Sequence, residues 1–171
     1  MMILRMPTVA DQLSLLAAHR ELASEGHDEF LLNDFSEDDT DFDGYIRRVI
    51  DYSLGRNLTE GHVPATFFVA QVGGHIVGRV SIRHELNDFL ENYGGHIGYM
   101  VRPGFRRNGY ATEMLKQALE YSKSIGLERA LVTCDDDNVG SQKVIEANRG
   151  VLENKLFHHG VWKRRYWIQI V

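Results

Sequence analysis

At 171 residues the chain is long enough for one domain whose folding would bury about 70% of the surface its unfolded form exposes. A net charge of −5 and a pI near 5.9 argue against a general nucleic-acid binder, although local basic patches are compatible with them. The lone cysteine, Cys134, rules out an intramolecular disulfide, no apolar run approaches the roughly 20 residues that span a bilayer, and the first residues lack a signal-peptide pattern, so a cytoplasmic location without membrane association is expected.

In chain order, Met2 to Met6 suits an edge strand stopped by Pro7. From Thr8, a plausible N-cap, to about Gly26 the apolar residues Val9, Leu13, Leu16, Ala17 and Leu22 follow a helical period. Two acidic stretches follow, Glu25–Glu29 and Glu37–Asp43, which read as solvated loop and capping acids or as an acidic rim that attracts an amine. Asp41 to Leu54 predicts a second helix ended by Gly55, and 57–64 a loop. Residues 65–72 and 75–83 are β-rich runs joined by Gly73-Gly74, a hairpin signal. A loop with Asn87, Asp88, Asn92 and Gly94-Gly95 leads into a strand at 96–101, then a helix to about Ile125 with Ala111, Met114, Leu115, Ala118, Leu119 and Ser122 on one face and Gly126 as its stop. A strand at 129–134, a short helix from Asn138 to about Asn148 and a closing strand pair at 151–157 and 162–170 complete the order βααβββαβαββ. This predicts an α+β fold, a mostly antiparallel mixed sheet with one parallel β-α-β crossover between residues 96 and 134, in a single domain over 1–171.

The turn between that crossover's first strand and its helix is rich in glycine and arginine. The first amides of a helix have no intrahelical partners, Gly104 and Gly109 can adopt positive φ, and Arg102, Arg106 and Arg107 surround the turn with positive charge, so an anion fits there. Gly104 and Gly109 share the G-x-x-x-x-G spacing of a nucleotide-triphosphate loop, but Tyr110 and Ala111 stand where that loop needs Lys and Ser/Thr. A metal-free grip on a diphosphate remains. Arg106-Arg-Asn-Gly-Tyr-Ala111 fits [Q/R]-x-x-G-x-[G/A] and resembles the coenzyme A loop of the GCN5-related N-acetyltransferase (GNAT) superfamily. The segments Gly98–Val101 and Gly109–Glu113 and the N-x-x-S of Asn138–Ser141 resemble the branch that acetylates ribosomal-protein N-termini.

The resemblance implies a fold with a splayed cofactor cleft and acetyl-CoA as co-substrate. Met100 and Val101 would offer backbone amides to the pantetheine arm, and the amides of Arg106, Arg107, Asn108, Gly109, Tyr110, Ala111 and Thr112 would hold the pyrophosphate. Asn138 would bond the arm, and the Ser141 hydroxyl would sit near the sulfur. His96 occupies the place where many relatives carry a glutamate base, with Glu85, Glu91 and His84 as alternatives. Ile145 stands where many relatives have a proton-donating tyrosine, which leaves Ser141, Tyr99 or Tyr110 to supply a hydroxyl; strand alternation puts Tyr99 and His96 on opposite faces.

Asp135-Asp-Asp137 reads as a polar loop rather than a metal site, His158-His159 as a hairpin turn, and Cys134 as a buried small residue, so no metal and no acyl-cysteine are expected. The implied activity is direct acetyl transfer to a primary amine, either a small molecule or a protein N-terminus. The alternatives are a non-catalytic acyl-CoA-binding or regulatory module and, less favoured, an RNA contact through Lys163-Arg-Arg165 and its aromatic neighbours. The aromatic-rich C-terminal strands could form a homodimer edge.

Overall fold

The structure is a computed structural model that describes residues 1–33, 35–36 and 41–171. Most of the acidic stretch that could attract an amine, residues 37–40, lies outside the described residues. The strands are β1 (Met2–Arg5), β2 (Ala65–Val72), β3 (His75–Arg83), β4 (Ile97–Val101), β5 (Arg129–Asp135), β6 (Val151–His158) and β7 (Val161–Gln169). The helices are α1 (Gln12–Ala23), α2 (Phe42–Ser53), α3 (Tyr110–Ser124) and α4 (Val139–Ala147). Their order is the one that periodicity predicts.

Local chemistry accounts for the element ends. The Asp11 carboxylate accepts from the Thr8 amide at 2.8 Å and pairs with Arg5, closing the turn that opens α1. Asp41 caps α2 by accepting from the Gly44 amide at 2.9 Å. Gly73 and Gly74, at φ 55° and 82°, form the two-residue turn between β2 and β3 that the twist of a hairpin favours. The stretch expected to be loop before β4 contains a π-helical turn, Leu90–Gly94. No apolar periodicity marks it, because its position is set from a distance: the buried Arg165 of β7 donates twice to the Glu91 carbonyl, at 2.9 and 2.7 Å.

The sheet departs from the single mixed sheet expected. Four strands in the order β1-β2-β3-β4 and three in the order β5-β7-β6 form separate antiparallel sheets. α1 and α2 pack on one face of the first sheet through Leu15, Leu22, Tyr45, Val49, Phe67 and Val69. α3 and α4 cover the other face and bridge the sheets through Leu115, Ala118 and Ile145 against Val80, Ile82, Ile97, Ala130 and Val132. Each such fully buried side chain contributes about 1.5–3 kcal/mol.

β4 and β5 meet at one end. The His96 amide donates to the Leu131 carbonyl at 2.7 Å, and the Leu131 amide donates to His96 Nδ1 at 2.9 Å. An imidazole here takes the place of a strand carbonyl, so the pairing ends after one residue and no ladder joins β4 to β5 beyond it. This reassigns His96. It is 5% exposed, its ring lone pair is occupied by Leu131, and burial, with Arg83 and Arg129 nearby, pushes its pKa down to about 4, so it is a joint between sheets and not a poised base.

Replacing His96 with Ala strands the Leu131 amide and should cost about 1–3 kcal/mol, whereas Asn, with an acceptor at a similar position, should recover much of it. An unfolded histidine titrates near ~6.5, and the folded one near about 4. Between those values the unfolded chain takes up the extra proton, so this stabilisation is full above ~6.5 and is lost progressively as pH falls to the folded value, a change on the order of 3 kcal/mol. Urea unfolding of the wild type and His96→Asn from pH 7.5 to 4 should show that slope only in the wild type; equal slopes would place the titration elsewhere.

Candidate active site

The register of β3 and β4 decides which backbone groups face the opening between the sheets. The Arg83 amide donates to the His96 carbonyl and the Arg102 amide to the Val77 carbonyl, so the even-numbered residues of β4 form the hydrogen-bonded pairs with β3. Alternation turns the amides and carbonyls of Ile97, Tyr99 and Val101 towards the gap. The Met100 amide therefore points at β3, and its side chain packs with the α1–α2 core, so Tyr99 replaces it beside Val101 as a strand-edge donor.

Beyond Val101, Pro103–Phe105 form a 3-10 turn. Positive φ falls at Arg107 (66°) and Gly109 (76°), not at Gly104. An arginine in this region is uncommon and costs on the order of 1 kcal/mol, which marks a backbone shaped for something other than chain economy. Asn108 holds the shape: its side-chain amide donates to the Phe105 and Arg106 carbonyls at 3.0 and 3.1 Å, so it staples the turn rather than reaching outward. The first α-helical bond of α3 runs from the Glu113 amide to the Gly109 carbonyl, leaving the amides of Tyr110, Ala111 and Thr112 without helical acceptors. Nothing lies within 4 Å of the space a Gly109 side chain would fill. The result is an open cradle of amides at the positive end of a 15-residue helix.

The three arginines around it are not equivalent. Arg102 is doubly bonded to Glu21 (2.9 and 2.5 Å) and Arg106 to Glu25 (2.6 and 3.3 Å), so α1 and the turn that follows it neutralise two of the three charges. Arg107 forms no ion pair among the described residues.

At the far side of the gap, Asn138 caps α4 by accepting from the Ser141 amide at 3.0 Å, which fixes Ser141 in the first turn. The Ser141 hydroxyl lies 2.8 Å from the Tyr99 phenol. Burial pushes the Tyr99 pKa up to about 12, against the opposing pull of the Ser141 hydrogen bond, so the phenol keeps its proton at neutral pH. Tyr99 and Ser141 thus form a hydroxyl pair that joins β4 to the first turn of α4. The sequence offers Tyr99 only as one of several hydroxyls; its partner is visible only through the fold.

Position 145 does not face this gap. Ile145 is fully buried in the core between α4 and the sheets, so its lack of a hydroxyl carries no weight for or against turnover. Glu85 is exposed after the end of β3, and Glu91 projects from the π-helical turn whose carbonyl Arg165 holds. His84 bonds the Thr66 hydroxyl at 2.8 Å, which also meets Tyr121 at 2.9 Å on the α3 side of the sheet. None of these three lines the cavity on the α1–α2 face described below.

The remaining polar groups are neutralised in pairs. Asp135 pairs with Lys163, Asp136 with Lys155 and Arg164, and Glu153 with Arg165, which accounts for two acids of the run at 135–137 and for the basic strand. Among the described residues no cluster of His, Cys, Asp and Glu could hold a metal ion, and no helix is long and apolar enough to cross a membrane. Burial raises the Cys134 thiol to about 11, which makes it a poor nucleophile.

A split between β4 and β5 with an amide cradle at its mouth defines an acyl-transfer fold, and the comparisons agree. Residues 25–151 match the Acetyltransferase (GNAT) family, and the chain belongs to that family. It is 28% identical over 146 residues, 85% of this chain and 80% of the relative, to the uncharacterized N-acetyltransferase YjdG of Bacillus subtilis (strain 168). A second relative from that organism, the uncharacterized N-acetyltransferase YnaD, is 34% identical over 62 residues, which span 34% of this chain and only 36% of the relative. In fold it resembles the self-immunity acetyltransferase MccE in complex with acetyl-CoA and AMP (TM-score 0.71, 20% identity, 99% of this chain and 92% of that one). It also resembles RimL, a ribosomal L7/L12 alpha-N-protein acetyltransferase in complex with coenzyme A (TM-score 0.70, 16% identity, 99% and 94%).

Proposed function

We propose that residues 1–171 act as one N-acetyltransferase domain that carries acetyl from acetyl-CoA to a primary amine in a ternary complex. The observation that carries this reading is the Tyr99–Ser141 hydroxyl pair set across the split, between a free strand edge on one side and the amide cradle on the other. When bound, acetyl-CoA supplies a thioester whose carbonyl carbon is open to attack and whose C–S bond breaks as the new C–N bond forms. The amides of Tyr99 and Val101 would align the pantetheine arm as an added strand, and the amides from Arg107 to Thr112 would hold the pyrophosphate. Tyr99 and Ser141 would pass a proton to the departing sulfur, with the neutral phenol as its source, and the phenol would regain a proton through solvent as the newly acylated nitrogen loses one.

Among the described residues no carboxylate lines the cavity beside β4, and His96 is committed to Leu131. We therefore assign deprotonation of the ammonium to solvent, ahead of attack.

Three measurements test this reading. Thiol release with acetyl-CoA and a panel of amines should show turnover, and Ser141→Ala or Tyr99→Phe should lower kcat about 10- to 100-fold with the acetyl-CoA dissociation constant nearly unchanged. Binding without release for every amine would instead support a non-catalytic acyl-CoA module.

With amines of different basicity, the rising limb of kcat/KM against pH should move with the pKa of the amine. A limb fixed near pH 6–7 for every acceptor would require a side-chain base.

Arg107→Ala should weaken acetyl-CoA binding by about three- to tenfold, more than Arg106→Ala, because Arg106 must first leave Glu25. The reverse ranking, measured by calorimetric titration, would move the phosphates away from Arg107.

A further inference from the structure

On the face of the first sheet that carries α1 and α2, a cavity of about 360 Å³ opens between β2, β3, α2 and the π-helical turn before β4. Its lining includes Leu32, Asn33, Tyr52, Ser81, Arg83 and Leu90. Apolar walls around a few polar groups are typical of a small-molecule pocket, and this volume falls in the range for one.

Two of those polar groups have nothing to bind. The Arg83 guanidinium makes one contact, at the 3.5 Å limit, to the Gly94 carbonyl, and among the described residues it pairs with no carboxylate. Asn33 Nδ2 is buried and finds no acceptor among the described residues. A buried amide donor left unpaired costs about 1–3 kcal/mol, and a guanidinium without a counter-ion costs more.

The neighbouring arginine shows what a structural role looks like here. Arg79, four residues earlier on the same side of β3, donates to the Phe30, Glu29 and Gly98 carbonyls at 3.1, 2.7 and 3.3 Å, which ties the chain after α1 to the sheet. Arg83 ties nothing comparable. Burial lowers its pKa from the ordinary arginine value, yet it remains a cation at neutral pH, and Arg79 adds a second positive charge beside it.

The position of Arg83 matters as much as its charge. A side-chain carbon built on Gly98 of β4 would lie 3.3 Å from Arg83 Nη1 and 3.9 Å from Nη2. The guanidinium therefore rests against the middle of β4, the strand whose opposite side carries Tyr99 towards Ser141. An acceptor in this cavity would have its anionic group at Arg83 and would have to present its amine past the edge of β4 to reach the split.

We propose that the acceptor is a small amino-acid-like amine whose carboxylate is bound by Arg83, with Asn33 Nδ2 and the Ser81 hydroxyl as further donors. A planar guanidinium and a nearby amide suit the two oxygens of a carboxylate, and the cavity is sized for a small molecule. This rests on the transferase reading above, but it assigns a site of its own and reverses the cationic preference that the acidic stretches of the sequence suggest.

The test compares free amino acids with the corresponding amino-acid amides, which remove the carboxylate and keep the amine. Thiol release should favour the acids at least tenfold in kcat/KM for the wild type. Arg83→Gln should erase that preference by raising KM for the acids about 10- to 100-fold, with KM for acetyl-CoA unchanged. Asn33→Asp, which tolerates the φ of 60° at that position and adds a repelling charge, should act in the same direction without touching the sheet.

A second arm needs no turnover: N-acetyl-amino acids and their amides are titrated calorimetrically into the protein saturated with coenzyme A. Acid-selective binding lost in Arg83→Gln upholds the site even where no amine is acetylated, an outcome that would sink the transferase reading alone. Equal handling of acids and amides by the wild type, in turnover or in binding, overturns the site and leaves the transferase reading intact. A tripeptide with an acidic side chain preferred more than tenfold over every free amino acid overturns the small-molecule assignment.

Discussion

The reciprocal bonds between His96 and Leu131 set the geometry on which the rest of the structure depends. Two antiparallel sheets must share a core through α3 and α4, yet stay apart along most of the edge where they meet. A regular strand pair would continue to zip, because each unpaired edge amide gains by finding a carbonyl. Using an imidazole nitrogen as the acceptor for the Leu131 amide stops the ladder after one residue. Gly95 allows the close approach: at φ 69° it takes a conformation few residues tolerate, and a side chain there would lie 2.6 Å from the Leu131 carbonyl oxygen. The open edge of β4 beyond this joint is a consequence of how it is closed.

The charge distribution follows a similar rule, with cations placed near the openings but mostly partnered in advance. Glu21 on α1 and Glu25 just after it hold Arg102 and Arg106, and Asp135 and Asp136 hold Lys155 of β6 and Lys163 and Arg164 of β7. Partly exposed pairs of this kind contribute up to about 1 kcal/mol each, so they fix side-chain positions at little cost to exchange. Among the described residues, Arg107 at the amide cradle and Arg83 in the cavity are cations that form no ion pair. They sit on opposite sides of β4. That separation fits a reaction with two substrates, each bringing its own anionic group.

Elements were legible where local chemistry determines them. The β2–β3 hairpin followed from two glycines, the start of α2 from Asp41, and the amide cradle from a strand, a glycine-bearing turn and a helical period in sequence. The π-helical turn at Leu90–Gly94 was not legible, because an arginine some 70 residues later holds it. His96 was misread for a related reason: a histidine at a strand start looks the same in sequence whether it faces solvent or replaces a carbonyl. Met100 was misread because composition does not reveal register, and one residue of register decides which amides face the split. The glycine signal overreached at Gly104 and missed Arg107, since non-glycine residues adopt positive φ only where surrounding structure compels it. Ile145 drew attention as a missing hydroxyl, yet its position belongs to the core.

One strand serves three surfaces, and its pleat explains how. The backbone of β4 at Tyr99 and Val101 faces the split, where an extended ligand can pair with it. Its odd side chains point towards α3, which brings the Tyr99 phenol within 2.8 Å of Ser141. Its even side chains point towards α1 and α2, where residue 98 is glycine. Any larger residue there would press on the Arg83 guanidinium, so the absent side chain and the unpartnered cation belong to one arrangement. Shifting β4 by one residue would turn Tyr99 into the cavity, bury the wrong backbone edge against β3 and crowd Arg83 at once. The His96–Leu131 joint at the start of the strand is what prevents that slip.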